Sequence, residues 1–371
     1  MRVICDTEKL SEVCQVVQRA VSTKTSIPAI EGILLKALGD ELILTGFDLE
    51  LGINTSIPAR VDEPGSIVLK AKTLCDILRY IPGDKVTIET EDERLKYKIK
   101  SGETEYSLMG ISANEYPDIP TIESGYPIVV DQNILKDMVR QTIFAVAVND
   151  GGKVVHTGIK FEITNGNIRL IALDGFRLAI RNEEIDYSGD DISFIVPAKT
   201  LSEVTKIIND DEGTVSINLG KRHIIFEVGN YCIISRLLEG EFLNYKTAIP
   251  INCSTQVKVD TRQFIDCIER TSLIITDKIK SPVRCLFENG TIKVSSITSI
   301  GTAQDRISAE IEGENIEIGF NNKFILDALK VSDVDEVRIE LNGPTSPIII
   351  LNPENDKFLF LILPVRLKNE N

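Results

Sequence analysis

The chain repeats itself three times along its 371 residues. The sharpest match is the segment Ala71-Lys72-Thr73-Leu74, which recurs letter for letter as Ala198-Lys199-Thr200-Leu201 and more loosely as Asn322-Lys323-Phe324-Ile325. Corresponding blocks lie about 125 residues apart and follow one another in the same order, which is the pattern of a duplicated module. Turn-forming residues cluster near Ser124-Gly125 and Ile251-Asn252, so we predict three domains, at 1–124, 125–251 and 252–371.

Each repeat opens with a short apolar strand, an Asp and an amphipathic helix. The Asp (Asp6, Asp131 or Asp260) stands where a helix N-cap accepts backbone N–H bonds. A β-hairpin follows, and in two repeats its turn has the Asn-Gly pair that tight hairpins prefer. A second helix and more strands complete the repeat. We therefore predict an α+β fold of three homologous domains, each with two helices and antiparallel strands. The predicted helices are 8–20, 72–81, 134–143, 199–208, 262–273 and 322–330.

The charge of the chain is distributed unevenly. The net charge of −15 argues against a protein that binds nucleic acid by bulk attraction, yet the six predicted helices contain 12 basic and 8 acidic residues. If the helices line one surface and the sheets cover the opposite one, the inner wall is mildly basic and the exterior acidic. Twelve such helices from two copies would enclose a bore on the order of 25–30 Å, wide enough for hydrated duplex DNA. A ring needs no tight phosphate binding, because its topology holds it on the duplex.

The second helix of each repeat has the same charge pattern. Two bases stand seven residues apart on one helix face, and an acid between them can pair with the first base at i, i+4. An ordinary solvated helix face explains one such helix, but three repeats of it indicate a shared role. The bases and acids are Lys72, Asp76 and Arg79, then Lys199, Glu203 and Lys206, then Lys323, Asp327 and Lys330.

Residue patterns typical of catalysis or metal binding are missing. The two histidines, His156 and His223, have no metal-ligand spacing, and no phosphate-binding loop or nucleophile elbow occurs. We predict no metal and no cofactor. The seven scattered cysteines, the lack of an apolar leader and the absence of a membrane-length apolar run favour a soluble, cytoplasmic protein.

The chain resembles the bacterial β sliding clamp, the processivity subunit of the replicative DNA polymerase III, over essentially its whole length. The motifs that match are Ala172-Leu173-Asp174-Gly175-Phe176-Arg177-Leu178-Ala179 and the terminal Leu363-Pro364-Val365-Arg366-Leu367. The resemblance implies a homodimeric ring around double-stranded DNA, with helices lining the bore and sheets outside. It also implies a non-catalytic role in DNA replication.

The resemblance further implies a hydrophobic cleft between the middle and last domains. Such a cleft captures short linear motifs of the polymerase, the clamp loader and repair proteins. Apolar walls and two rim arginines suit that role. The matching positions are His156, Gly158, Leu173, Gly175, Phe176, Arg177, Leu178, Leu243, Thr247, Ala248, Asn321, Phe324, Thr345, Pro347, Leu361, Leu363, Pro364, Val365 and Arg366.

Three cleft positions depart from the family pattern. Phe176 stands where well-known members have His, Leu243 where they have Pro, and Thr247 where they have Arg. We therefore expect a somewhat different preferred partner motif.

Two further groups of residues follow from the resemblance. Ring closure maps to Tyr106 and Leu108 of the first domain and to Leu273 and Ile274 of the last. DNA-facing positions are Lys24 and Lys153 on loops, together with the six helix bases Lys72, Arg79, Lys199, Lys206, Lys323 and Lys330.

Two rival hypotheses remain open at this point. Asp48 and Asp174 recur at equivalent places and could form the carboxylate pair of a polymer-processing enzyme. We favour a turn role for them, because a short side chain there caps its own backbone. The other rival is a monomeric interaction scaffold that never meets DNA.

Overall fold

The structure, a computed structural model, describes residues 1–23, 25–91, 95–122, 127–148, 152–209, 212–276, 279 and 281–367. The candidate Lys24 and the predicted domain boundary at Ser124-Gly125 lie outside these residues.

All six predicted helices are confirmed. Three of them begin after the predicted Asp: Asp6 accepts a hydrogen bond from the Lys9 N–H, Asp131 from the Ile134 N–H and Asp260 from the Gln263 N–H. The sequence pattern located these helices because the cap and the apolar spacing agree. The helices are α1 Thr7–Val17, α2 Ala71–Tyr80, α3 Gln132–Ile143, α4 Ala198–Ile207, α5 Thr261–Ser272 and α6 Asn322–Ser332.

The predicted hairpins are also present. Asn165 and Gly166 both have positive φ, as do Asn289 and Gly290, which is the backbone that a two-residue hairpin turn requires.

The strands of the described part of the chain pair antiparallel. Most are short, and the longest is the 13-residue strand Leu51–Glu63. They are β1 Arg2–Asp6, β2 Gly32–Leu38, β3 Glu41–Phe47, β4 Leu51–Glu63, β5 Gly65–Lys70, β6 Lys85–Glu91, β7 Lys96–Ser101, β8 Thr104–Met109, β9 Ile128–Asp131, β10 Gly158–Thr164, β11 Asn167–Leu173, β12 Arg177–Glu184, β13 Ile192–Pro197, β14 Thr214–Leu219, β15 His223–Val228, β16 Tyr231–Arg236, β17 Thr255–Asp260, β18 Val283–Glu288, β19 Thr291–Thr298, β20 Gly301–Ser308, β21 Glu310–Gly313, β22 Ile316–Phe320, β23 Glu336–Leu341, β24 Ile348–Leu351 and β25 Phe358–Ile362.

The chain divides into two compact units that do not coincide with the three repeats. Unit 1 comprises Met1–Leu135 and Lys199–Leu237, and unit 2 comprises Lys136–Ala198 and Leu238–Asn371. The middle repeat is shared between them because each of its two sheets is hydrogen-bonded to a different neighbour. Its β16 pairs with β4 of the first repeat, and its β12 pairs with β25 of the last.

In unit 1 the strands form one sheet in the order β8-β7-β6-β1-β4-β16-β15-β14-β9, with β2, β3 and β5 joined to it through β4. The long strand β4 makes this possible, since one end pairs with β1 and the other with β16. Alternate side chains of these strands are buried, including Val3, Ile53 and Ile233, and helices α1 and α2 pack against each other beside them.

Unit 2 has two sheets, in the orders β13-β10-β11-β12-β25-β24-β23-β17-β21 and β20-β19-β18-β22. Strand β24 is buried along its whole length, and Phe360 of β25 packs edge-on against Phe144, which follows α3.

All seven cysteines are free thiols, and five of them are buried as small core residues. Burial raises the pKa of the Cys5 and Cys267 thiols to about 12, so both stay protonated at neutral pH. Cys232 and Cys253 are half-buried.

Candidate functional site

An apolar cluster in unit 2 contains three of the predicted cleft residues, Leu173, Leu178 and Leu361. It lies where β11 and β12 meet β25, because the inward-facing residues of these three strands share one face. Phe242, Ile249 and Leu359 pack against its edge. The buried members are Ile171, Leu173, Leu178, Ile180, Tyr245 and Leu361.

Exposed apolar side chains lie close in the chain to members of this cluster, before β12, after β25 and just before Tyr245. Phe176 is 60% exposed, and Leu243, Leu363 and Val365 are also open to solvent. Hydrogen bonds hold the backbone at Phe176, Leu363 and Val365, since the Leu363 N–H donates to the Phe176 carbonyl at 2.8 Å and the Val365 N–H donates to the Gly319 carbonyl at 2.8 Å. Large apolar side chains held open on a fixed backbone are typical of a binding groove.

The turn before β12 is organised by Asp174. One carboxylate oxygen accepts the N–H groups of Phe176 and Arg177, and the other accepts the Arg177 Nε at 2.9 Å. Gly175 has a φ of +90°, which suits glycine in a turn of this kind.

Arg177 is fully engaged by the protein itself. Its side chain is only 12% exposed and pairs with Asp174 and, at 2.6 Å, with Asp327 of α6. Its guanidinium carbon also lies 4.5 Å from the centre of the Phe324 ring, which in turn stacks on Phe176. The expectation that two rim arginines are available to a ligand therefore needs correction. Arg177 supports the aromatic wall formed by Phe324 and Phe176, and of the two arginines only Arg366 is exposed to solvent.

His156 lies at the edge of the same cluster. Its ring packs edge-on against Phe242, and its Nε2 is buried without a hydrogen-bond partner. Burial holds the pKa of His156 below its usual value, and the positive charge of Lys153 lowers it further. The imidazole is therefore neutral at physiological pH and contributes an uncharged ring to the edge of the cluster, against Phe242.

The remaining cleft candidates occupy less central places. Asn321 caps α6 by accepting the Lys323 N–H, and Thr247 donates to the Asn244 carbonyl within the short 3-10 turn that also contains Ala248. Gly158 begins β10, where an added Cβ would lie 2.5 Å from the Val196 carbonyl oxygen. Thr345 and Pro347 lie between β23 and β24, and Pro364 lies between Leu363 and Val365 after β25.

The ring-closure candidates lie at open positions of the two units. Tyr106 and Leu108 are half-buried on β8, which is the terminal strand of its sheet in unit 1. In unit 2, Leu273 follows α5 and is 80% exposed, with the half-buried Ile274 beside it. Their exposure leaves these side chains available to another chain.

All six predicted helix bases are exposed, and Arg79, Lys199, Lys206 and Lys330 each have a carboxylate partner within 4.0 Å. The partners differ from the sequence expectation of pairing at i, i+4 with the first base. The acids of α2 and α4 pair instead with the following base, as Asp76 with Arg79 and Glu203 with Lys206. Lys153 is exposed at the start of the 3-10 turn Val154–Thr157.

Two of these ion pairs could not be found from the sequence, because their partners are far apart in the chain. Lys199 of α4 pairs with Asp48 at 2.6 Å in unit 1, and Lys330 of α6 pairs with Glu269 of α5 at 2.6 Å in unit 2. The aromatic Phe144, under Arg177, was missed for the same reason.

Asp48 in unit 1 has the same local role as Asp174 in unit 2. One of its oxygens accepts the Glu50 and Leu51 N–H groups, and the other accepts Lys199. The predicted turn role is confirmed for both residues.

Within the described residues, no group of three or more His, Cys, Asp or Glu side chains could hold a metal ion. Over the same part of the chain, no helix combines the length and the apolar character that crossing a membrane requires.

The chain matches three family models in succession. They describe the N-terminal, central and C-terminal domains of the DNA polymerase III beta subunit, and they match residues 1–120, 129–244 and 246–366.

Known proteins match along nearly the whole chain. The beta sliding clamp of Bacillus subtilis is 33% identical, with 99% of this chain and all of that protein covered, and that of Halalkalibacterium halodurans is 34% identical, with 94% and 95% covered. The crystal structure of the DNA polymerase sliding clamp from Bacillus subtilis superposes with a TM-score of 0.96 at 32% identity, covering 99% of this chain and 100% of that one. The corresponding structure from Pseudomonas aeruginosa gives 0.93 at 29% identity, with the same coverage. The chain therefore belongs to the family of DNA polymerase III beta subunits, and it is a non-catalytic DNA sliding clamp.

Proposed function

We propose that two copies of this chain close head to tail into a ring around double-stranded DNA in the cytoplasm. The ring tethers the replicative polymerase, the clamp loader and repair proteins through short linear motifs. Each copy contributes three clamp domains, at 1–124, 125–251 and 252–371, and the helix bases face the duplex. The observation that carries this proposal is the way in which the repeats join their strands.

Two joins of the same kind occur within the chain. The last strand of the middle repeat, β16, pairs with β4, and the last strand of the final repeat, β25, pairs with β12. Strands β4 and β12 are equivalent, since each follows the predicted hairpin of its repeat. The equivalent strand of the final repeat is β20, and the last strand of the first repeat is β8. Both are terminal strands of their sheets in the described residues.

A terminal strand presents unpaired backbone groups that favour pairing with another strand. Pairing β8 of one copy with β20 of a second copy repeats the same join a third time. Two such joins close a ring of two chains, because each copy supplies one β8 and one β20. Exposed apolar side chains border both strands, among them Met109, Ile300 and Leu273, and their burial would stabilise the join.

The two internal joins predict the register of the join between copies. Gly52 lies opposite Ile234 in the first join, and Leu178 lies opposite Leu361 in the second. The hairpin registers make Thr302 the counterpart of Gly52 and Leu178, and they make Ser107 the counterpart of Ile234. We therefore expect Ser107 of one copy opposite Thr302 of the partner copy.

Cysteine cross-linking tests this register. A chain with Ser107→Cys and Thr302→Cys should form a disulfide-linked dimer in high yield on mild oxidation, because directly opposite strand residues have Cβ atoms about 5 Å apart. The readout is the fraction of dimer on a non-reducing gel.

The matched control is Ser107→Cys with Ala303→Cys. Neighbouring strand residues point to opposite faces, so this pair should stay largely unlinked. Equal yields from the two pairs, or a monomeric mass for the unmodified chain in light scattering, would contradict the proposed ring and favour a monomeric scaffold.

The tethering role rests on the cleft of unit 2. A buried apolar floor with exposed Phe176, Leu243, Leu363 and Val365 beside it suits a short peptide with apolar side chains. Because Arg177 is engaged by Asp174 and Asp327, the aromatic wall favours an apolar or aromatic ligand side chain over an acidic one. That preference agrees with the departure at Phe176 from the family pattern.

A further inference from the structure

We infer that Asp48 and Glu269 are built-in counter-ions that weaken the contact between the helix bases and DNA, so that the ring slides with low friction. This inference rests on the proposed function, because it assumes that the helix bases face the duplex. It adds a role for acids that the clamp function does not by itself require.

Asp48 is positioned to neutralise Lys199. Its Oδ1 accepts the Glu50 and Leu51 N–H groups at 3.0 and 2.7 Å, which leaves Oδ2 for the Lys199 ammonium at 2.6 Å. The aspartate side chain is 12% exposed, whereas that of Lys199 is 60% exposed. Asp48 is therefore held in place by the backbone and binds the ammonium group of the exposed Lys199.

Glu269 likewise pairs with Lys330, although its own side chain is 44% exposed. Its carboxylate accepts the ammonium at 2.6 Å across the contact between α5 and α6. This hydrogen bond holds the pKa of Glu269 below its usual value, so the acid is charged at neutral pH. Lys206 and Arg79 have acids of their own helices within 4.0 Å, Glu203 and Asp76. Lys199, Lys330, Lys206 and Arg79 thus each have an acid beside them.

Pairing changes what a base contributes on DNA. A free lysine that meets a phosphate releases a condensed counter-ion, and each such contact adds about 0.9 to the slope of log binding against log salt. A lysine that stays paired with its carboxylate neutralises no phosphate, so it releases little condensed counter-ion. The helix surface that faces the duplex then has many charged groups but makes few strong contacts with phosphates.

Removing the two acids tests the inference without removing any base. Asp48→Asn keeps an oxygen for the turn N–H groups, and Glu269→Gln changes a half-buried helix position without changing the size of the side chain. With both changes, the ring should diffuse several-fold more slowly along DNA at low salt, and its diffusion should become more salt-dependent, since freed lysines contact phosphates that salt screens. The measurement is single-molecule tracking of rings loaded by a bacterial clamp loader onto DNA held at both ends.

A matched control separates local pairing from overall charge. Asp62→Asn with Glu336→Gln removes the same two charges from strands β4 and β23, where these acids pair with Arg60 and Lys258. This control should slide like the unmodified ring. Adding Lys199→Gln and Lys330→Gln to the first variant should restore fast sliding.

Equal slowing in both acid variants, or no slowing in either, would overturn the inference. Failure of the unmodified ring to stay on closed DNA would instead overturn the proposed function, so the two outcomes are distinguishable.

Discussion

At the scale of single residues, the two recurring aspartates show what a sequence can and cannot reveal. Their position after a β-hairpin predicted a turn role, and both accept backbone N–H groups there. The second oxygen of each carboxylate binds a cation, and only the fold determines which one. For Asp174 it is the nearby Arg177, and for Asp48 it is Lys199, which is 151 residues away.

Arg177 is expected to contribute to stability. Arg177→Met would leave Asp174 without its cation and remove the support under Phe324, whose ring lies 4.5 Å from the guanidinium. We expect the free energy of unfolding of unit 2 to fall by roughly 2 kcal/mol, a value reduced from that of a buried pair because Asp327 is partly exposed. Urea denaturation measures this loss.

The control for this prediction is Arg366→Met. Arg366 is exposed, so its replacement should change the same free energy by less than about 0.5 kcal/mol. A comparable loss in both variants would show that Arg177 has no special structural role.

At the scale of helices and strands, local signals predicted most of the fold. The helices were located within a few residues because cap and periodicity agree, and the Asn-Gly turns have the expected backbone. Joins between repeats were not predictable in this way. The pairing of β16 with β4 and of β25 with β12 links residues about 180 positions apart, and no short pattern encodes a contact of that range.

The residues of the proposed cleft were likewise not predictable from spacing and were named through the resemblance. Leu173, Leu178 and Leu361 come from β11, β12 and β25, and only the fold brings these three strands into one apolar cluster. The engagement of Arg177 by Asp327, which lies on α6 150 residues away, required the structure.

The segment after β25 is expected to be essential for partner binding. Deleting residues 364–371 removes Val365, whose N–H donates to the Gly319 carbonyl, and with it one side of the proposed cleft. We expect the affinity for a peptide from the tail of a replicative polymerase to fall at least about tenfold, which corresponds to the loss of one or two apolar contacts. Fluorescence anisotropy with a labelled peptide measures the change.

A point variant guards against a general loss of folding. Phe176→Asp keeps the segment intact and should weaken the same peptide, whereas Ile251→Asp alters an equally apolar and more exposed residue and should bind normally. Dimer mass should be unchanged in all three variants. Normal peptide binding after the deletion would rule out the cleft as the partner site.

At the scale of the whole molecule, charge and ring topology determine how the protein stays on DNA. A chain with a net charge of −15 gains little from bulk attraction to DNA, and its helix bases are largely paired with acids. Tight binding to phosphates is therefore not what would keep such a protein on DNA. A closed ring needs no such affinity, because release requires either an open join or a DNA end.

The most direct test of this account compares closed and open DNA. Rings of this chain are loaded by a bacterial clamp loader onto a nicked circular plasmid, washed in 0.5 M salt (roughly the range where phosphate contacts are screened), and then treated with a restriction enzyme that cuts the circle once. The account predicts that the protein stays on the circle through the wash and leaves within minutes of cutting. Loss of the protein during the wash, or its retention on linear DNA with open ends, would contradict the account.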